Sequence, residues 1–397
     1  KRMRSLQHQP HHYFQRPDAG HVSIDSARTS LTGWMGRVWL NKEKGNWRFN
    51  GAVGVINPNF EANDLGFHTK GDYINSHAYV AYLWFEPDPI FRTKSVSVAA
   101  LREYNFGGVN IGTTFNTFLV GQFHNYWSAS VYAGFNDLAY DDRRTRGGPL
   151  LRYLPSSFVM VFANTDYRKA ITASLVTLRS MARSGGNEFS VSLNLNWKAT
   201  PSLSLGLGPS VYVVHTPTQY ITTRSDPGAT ETFGKQYIFT GLDQRVISAT
   251  IRMNWSLTSR MSLQAYVQPY IAVGEYSGFK EFARPRTFHF LVYGKDGSTK
   301  VESNGTVLID PDGPLGPRAP FTLPSERAFD FNYKSLRANL VLRWEFLPGS
   351  TLYAVWTNQK LNIENSGDLR FGRDFTTLLR HRPDNIFALK ISYWIDP

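Results

Sequence analysis

Apolar and polar residues alternate along most of this chain, and that period of two limits its fold more than any other feature. From Phe189, the apolar Val191, Leu193, Leu195 and Trp197 take every second position, with Ser190, Ser192, Asn194, Asn196 and Lys198 between them. The same pattern runs through Ile247 to Leu257, Met261 to Ile271 and Leu336 to Trp344. Successive side chains of a strand point to opposite faces, so each stretch has one apolar and one polar face. Strands of soluble sheets run about 5–6 residues, whereas a strand that crosses a bilayer needs roughly 9–11. These stretches have the second length. They predict a transmembrane antiparallel up-and-down β-barrel of about 16 or more strands, with a soluble sandwich or propeller as the alternative.

Fifteen such stretches can be marked: 31–41, 46–56, 74–86, 94–104, 109–121, 125–136, 157–168, 170–182, 188–198, 202–215, 244–257, 261–273, 334–346, 350–358 and 386–395. Their connections alternate between tight turns and long polar loops at 57–73, 137–156, 216–243, 274–333 and 359–385. The connection at 105–108 is expected to be the one short outer loop. Short turns at one rim and long loops at the other are the layout of an outer-membrane barrel. Residues 1–30 read as a loop-like N-terminal segment and 31–397 as the barrel. The first stretch should descend towards the short turns, so parity requires an ascending strand before it. Residues 1–20 make a poor strand, and we expect this to be the C-terminal part of a longer protein. No apolar leader follows Lys1-Arg2-Met3-Arg4.

Composition supports this reading. Aromatic residues make up 14% of the chain and charged residues only 19%, while mean hydropathy is slightly polar at −0.32. No run of apolar residues is long enough for a transmembrane helix, which needs about 20, and the aromatic content is too high for disorder. With no cysteine, disulfide frameworks and thiolate metal sites are excluded. The net charge of +12 comes from scattered Lys and Arg, so nucleic acid is not expected as a partner.

Tryptophan placement gives an independent sign. Trp47, Trp84, Trp127, Trp197, Trp255 and Trp344 all lie near expected short turns, as do Trp39 and the C-terminal Trp394. Indole prefers the membrane–water interface, so they are expected to form an aromatic girdle at one rim.

Several residues are candidates for function. Arg37, Arg48, Arg102, Arg252, Arg337 and Arg343 fall at expected lumenal positions. Free, they would favour anions in a channel; paired with Glu103 or Glu345, they would brace the wall. Arg143, Arg144 and Arg146 lie in an outer loop, where they could bridge lipopolysaccharide phosphates or simply face solvent. Glu61, Asn63 and Asp64, and separately Asp310 and Asp312, offer oxygen ligands for a structural Ca²⁺. The sequences Asn57-Pro58 and Asp312-Gly313 favour plain turns there. No other cofactor is implied. His8, His11 and His12 could hold a metal, although a terminal tract of this kind is read first as incidental. The loop 274–333 is expected to cap the surface, with a hairpin of its own near Phe288, Phe290, Val292 and Tyr293. No His-Glu-x-x-His, Gly-x-Ser-x-Gly or Walker pattern occurs. A membrane-embedded hydrolase built on Ser and His77 has no support in residue spacing, and the chain is not expected to be an enzyme.

The segments NPNFEANDLGF (57–67), RGGP (146–149), SLRANLVLRWEFLPGSTLYAVW (335–356) and LKISYW (389–394) form a set. Together they resemble a family of bacterial outer-membrane barrel domains of unknown function. In that family the barrel usually follows a β-sandwich similar to family 9 carbohydrate-binding modules. The resemblance runs from about residue 15 to the C-terminus and brings no catalytic residues. It implies a Gram-negative, porin-like cell-envelope barrel, acting as a passive channel or as the anchor of a surface assembly linked to glycan binding or uptake. A plugged scaffold barrel in an envelope complex is the other expectation. The partners implied are outer-membrane lipid and lipopolysaccharide, with an envelope protein or an oligosaccharide.

Overall fold

A computed structural model describes residues 2–395 of the protein. The chain begins with a short helix, α1 (Arg2–His8), and an irregular segment that packs closely against later loops. An antiparallel meander then starts with β1 (Met35–Lys42), β2 (Trp47–Ile56), β3 (Tyr73–Trp84), β4 (Phe91–Tyr104), β5 (Asn110–Phe123) and β6 (Ser128–Asn136). The short strands β7 (Ala139–Asp141) and β8 (Leu151–Tyr153) pair inside the next loop. The meander resumes with β9 (Ser156–Asn164), β10 (Ile171–Ala182), β11 (Asn187–Thr200), β12 (Leu203–Ser225), β13 (Lys235–Thr258) and β14 (Met261–Phe282). After β14, β15 (Phe290–Val292) returns to pair with it, and β16 (Thr299–Ser303), β17 (Thr306–Asp310) and β18 (Phe321–Pro324) make a separate three-stranded sheet. Then come β19 (Phe331–Leu347), β20 (Ser350–Glu364), helix α2 (Phe371–Arg380) and β21 (Asp384–Ser392).

The fifteen alternating stretches correspond one for one to the fifteen strands of the meander, which with β15 form a sheet of 16 strands. The sheet is not closed: β1 and β21 do not pair, and every residue of both is exposed. No helix among the described residues is long and apolar enough to cross a membrane.

Register gives the sheet two chemically distinct faces. Leu119, Val131, Val161, Thr177, Val191, Val211 and Ile247 stand directly opposite one another in successive strands. The other face carries Thr172, Asn196, Gly206, Arg252, Tyr266 and Asn339 in the same kind of row. Two-residue connections such as Pro348-Gly349 keep neighbouring strands antiparallel. Gly349 adopts φ +75°, a backbone angle that costs glycine nothing.

Three expected boundaries need correction. β12, β13 and β14 contain 23, 24 and 22 residues, so most of the expected loop 216–243 is strand and loop 274–333 begins later. Alternation fades there because both faces of the strand ends are covered. Ile238 packs with Phe279, Tyr293, Val307, Ile309 and Phe321, while Tyr237 and Phe239 join Leu151 and Phe282 in a second cluster. A strand apolar on both sides has no period of two. The connection at 183–186 is a second short one at the long-loop end of the sheet, turned by Gly185 at φ +92°. Loop 359–385 holds the end of β20 and α2, with Asp374 fully buried against Asn332 and near Lys334.

Candidate functional site

Four of the six arginines expected in the lumen, Arg37, Arg48, Arg252 and Arg337, lie on the polar face and take part in no ion pair among the described residues. Arg37 bonds His77, whose other ring nitrogen meets Asn50, and the Arg252 guanidinium lies over the Tyr266 ring at 5.3 Å. Arg343 is also on this face and pairs with Glu345 at 3.5 Å. Glu103 is taken by the Tyr73 hydroxyl rather than by an arginine. Arg102 departs from expectation. It stands opposite Ser76, which stands opposite Val53, and so belongs to the apolar face. In β4 the positions that carry Val96, Val98 and Ala100 also carry Arg102, and the side chain emerges at the loop end of that face beside the Tyr104 hydroxyl. Arg179 and Arg245 occupy the same end of the apolar face, opposite Phe189 and Val213.

At the other end of the apolar face lie the tryptophans. Trp47, Trp84, Trp197, Trp255 and Trp344 occupy its last positions, and Trp127 immediately precedes β6; all six are between 38% and 51% exposed. Trp394 follows β21 and donates its backbone amide to Ser350 Oγ at the β19–β20 turn. Trp39 is the exception, since its position opposite Ala52 puts it on the polar face.

The densest chemistry lies at the long-loop rim, where the N-terminal segment ties the loops together. The Arg16 guanidinium reaches Asp72 Oδ2 at 2.5 Å and Asp142 Oδ2 at 3.0 Å, with all three side chains almost completely buried. Asp72 also accepts from His21 Nε2 and from the Phe106 amide. Burial pushes the Asp72 carboxyl up, but these hydrogen bonds and the Arg16 charge hold it below the usual carboxylate range. Asp18 accepts from the Leu150 amide. Loops following β2, β4 and β6 therefore meet on one short stretch of chain. The loop holding β7 and β8 in turn bonds the segment after β14 through Arg152 and Arg286.

These contacts change the reading of the outer-loop arginines. Arg143 donates to the carbonyls of His11, His12 and Gly71, Arg144 pairs with Asp141, and the Arg146 guanidinium lies 4.5 Å over the Tyr220 ring. They brace the rim. The two expected oxygen clusters are turns held by their own side chains: Glu61 accepts from the Asn63 amide, Asn63 from the His68 amide, and Asp312 from the Arg318 amide. Asp64 is largely exposed beside Arg2, and Asp310 ends β17.

Glu61 has partners that its own loop does not supply. His11 Nε2 donates to Glu61 Oε2 at 2.5 Å, and His12 Nε2 lies 3.4 Å from the same oxygen. Burial and the neighbouring His11 lower the fully buried His12 to about 4. Burial pushes Glu61 up, yet hydrogen bonds from Asn63 and His11 hold it at about 2. His8, the other member of the tract, is exposed at the end of α1. Sequence reasoning missed Arg16, Asp72, Asp142 and His68, since nothing in one dimension links residues so far apart.

Comparison with known families places the whole rim and sheet in one match. The chain belongs to DUF5916. This domain of unknown function matches residues 6–397, from the end of α1 past the last strand. The meander, the N-terminal segment and the capping loops of this DUF5916 chain thus fall within one domain. No curated protein matches it.

Proposed function

We propose that this DUF5916 chain is a bacterial outer-membrane β-barrel that anchors a surface assembly in lipid, with its outer mouth covered by the N-terminal segment and the long loops. The observation that carries this reading is the order along the apolar face, from a row of tryptophans at the short turns, through aliphatic residues, to Arg102, Arg179 and Arg245 at the loop end. The aliphatic stretch from Phe189 to Trp197 spans about 26 Å at ~3.3 Å per residue, and less when tilted, which suits the ~25 Å apolar band of such barrels. Indole suits one interface, and guanidinium suits the phosphates of lipopolysaccharide at the other. Unpaired strand edges are too costly in hydrocarbon, so the reading requires that β1 and β21 be paired in the membrane. The link to glycan handling rests on family likeness and on no residue of this chain.

The test is fluorescence in vesicles that carry brominated acyl chains. Strong quenching of the tryptophans, with a smaller quenched signal when Trp197, Trp255 and Trp344 are replaced by Phe, is the expected result. Equal quenching by a water-soluble quencher and none by the bromolipid would refute membrane insertion.

A second reading, an anion-preferring conduit, is favoured by the unpaired Arg252 and Arg337 on the polar face. Planar-bilayer recordings separate the two. The anchor reading expects a closed wild-type protein, whereas a conduit expects steady conductance whose anion preference falls with Arg252→Gln and Arg337→Gln.

A further inference from the structure

The contact between the N-terminal segment and the β2–β3 loop has the makings of a metal site. The ligand atoms of His11, His12 and Glu61 all lie within 4.8 Å of one another. His12 Nδ1 donates to the Pro58 carbonyl at 2.8 Å. That bond fixes the tautomer and leaves the Nε2 lone pair facing Glu61, the outer-shell arrangement that orients metal-binding imidazoles. The same Nε2 is buried and forms no hydrogen bond. A second nitrogen, His68 Nε2, is also buried without a partner, and its ring lies edge-on to His11 with centroids 5.9 Å apart. Orphaned buried polar atoms of this kind are rare in native proteins. The one on His12 faces the Glu61 carboxylate, where a cation would satisfy both.

We propose that His11, His12 and Glu61 bind a divalent transition metal of the zinc class, and that the ion staples the N-terminal segment to the β2–β3 loop. The chemistry selects the class, because two imidazoles and one carboxylate suit Zn²⁺, whereas Ca²⁺ takes six to eight oxygens. In tetrahedral zinc coordination neighbouring ligand atoms lie about 3.4 Å apart. His12 Nε2 and Glu61 Oε2 already have that separation. To bind the ion, His11 would pass the Nε2 proton it now donates to Glu61 to Nδ1 of the neutral ring, or to solvent from the imidazolium, and the 2.5 Å contact would open by about 1 Å. Because the ligands come from positions about 50 residues apart, the ion would hold the N-terminal segment to the rim.

The test uses the untagged full chain, stripped with chelator, returned to neutral buffer and titrated with Zn²⁺ alone and with Co²⁺ alone. One ion per chain and the visible bands of four-coordinate cobalt are expected. His12→Ala and Glu61→Gln should each weaken binding at least about 100-fold, while His8→Ala should not change it. Zn²⁺ should also protect the N-terminal segment from protease. Substoichiometric metal on the wild-type chain overturns the proposal, whatever the variants do. So does unchanged affinity in His12→Ala or Glu61→Gln, each checked for native sheet content by circular dichroism. Displacement of cobalt by an equal concentration of Ca²⁺ would overturn the choice of metal class.

Discussion

Replacing Arg16 with Ala removes the one cation among the described residues that both Asp72 and Asp142 contact, at 2.5 and 3.0 Å in a site closed to water. Removing one partner from a buried ion pair costs about 3–5 kcal/mol, mainly because the remaining charge stays desolvated. Here some compensation survives. Asp142 keeps Lys70 at 3.3 Å and Arg143 at 3.6 Å, and Asp72 keeps His21 and the Phe106 amide. The loss should therefore lie near the lower figure, about 3 kcal/mol, or roughly 100-fold in an opening equilibrium. It should appear as detachment of the N-terminal segment and not as loss of the sheet, because Arg16 bonds only rim residues. Native-state hydrogen exchange can separate the two. Protection of amides in the stretch around His12 to Arg16 should fall about 100-fold, while β9, β10 and β11 exchange as in the wild-type protein. Arg16→Met combined with Asp72→Asn should recover part of the loss, since the amide oxygen can still accept from Phe106 without a stranded charge. Unchanged protection in Arg16→Ala would refute the claim that this pair holds the cap. Equal loss across β9 to β11 would refute its local character.

Three further outcomes follow from the same geometry. Asp72 titrates below its unfolded value, so its contribution to the clamp is complete above about pH 4 and is lost as pH falls through the folded value; exchange in the N-terminal segment should rise only in strong acid, and release near neutral pH would contradict this. Leu193→Lys places a charge mid-way along the apolar face and should cost about 2–4 kcal/mol in lipid, while Asn194→Lys on the polar face should cost far less; equal costs in urea unfolding from vesicles would refute the face assignment. Asp374→Ala removes the acceptor for Asn332 Nδ2, Arg373 Nε and the Arg370 amide, at about 2–3 kcal/mol. The loss should show as faster proteolysis within 366–383, with the sheet intact.

Much of the meander was legible because its physics is local. Each residue from Phe189 to Trp197 declares its face by its own polarity, and turns such as Pro348-Gly349 declare themselves by Gly and Pro. Local information stopped where strands were covered on both sides. Tyr237, Ile238 and Phe239 are three consecutive buried apolar residues whose burial depends on Phe279 and Phe282 at the end of β14 and on Phe321 from the segment after it. The N-terminal segment failed for a related reason. Its polar, histidine-rich stretch reads as a loose tail, yet His12 and Arg16 are buried because their partners come from loops near 60, 72 and 142.

Of the candidate residues, five tryptophans of the apolar face and five of the six arginines could be assigned from alternation, while Trp39 and Arg102 show the limit. The polarity of Arg102 pointed to the polar face, but its register with Ser76 and Thr113 puts it at the loop end of the apolar one. Sequence by itself determined the fifteen strands of the meander up to the ends of β12 to β14, their two faces and the side on which most of the tryptophans gather, since a strand's period is built into its backbone. Tertiary structure alone decided which charges are paired, which histidines meet Glu61, and that the long loops close over the N-terminal segment. Those contacts join residues tens to more than a hundred positions apart, and burial, which sets the strength of every one of them, exists only once the chain has folded.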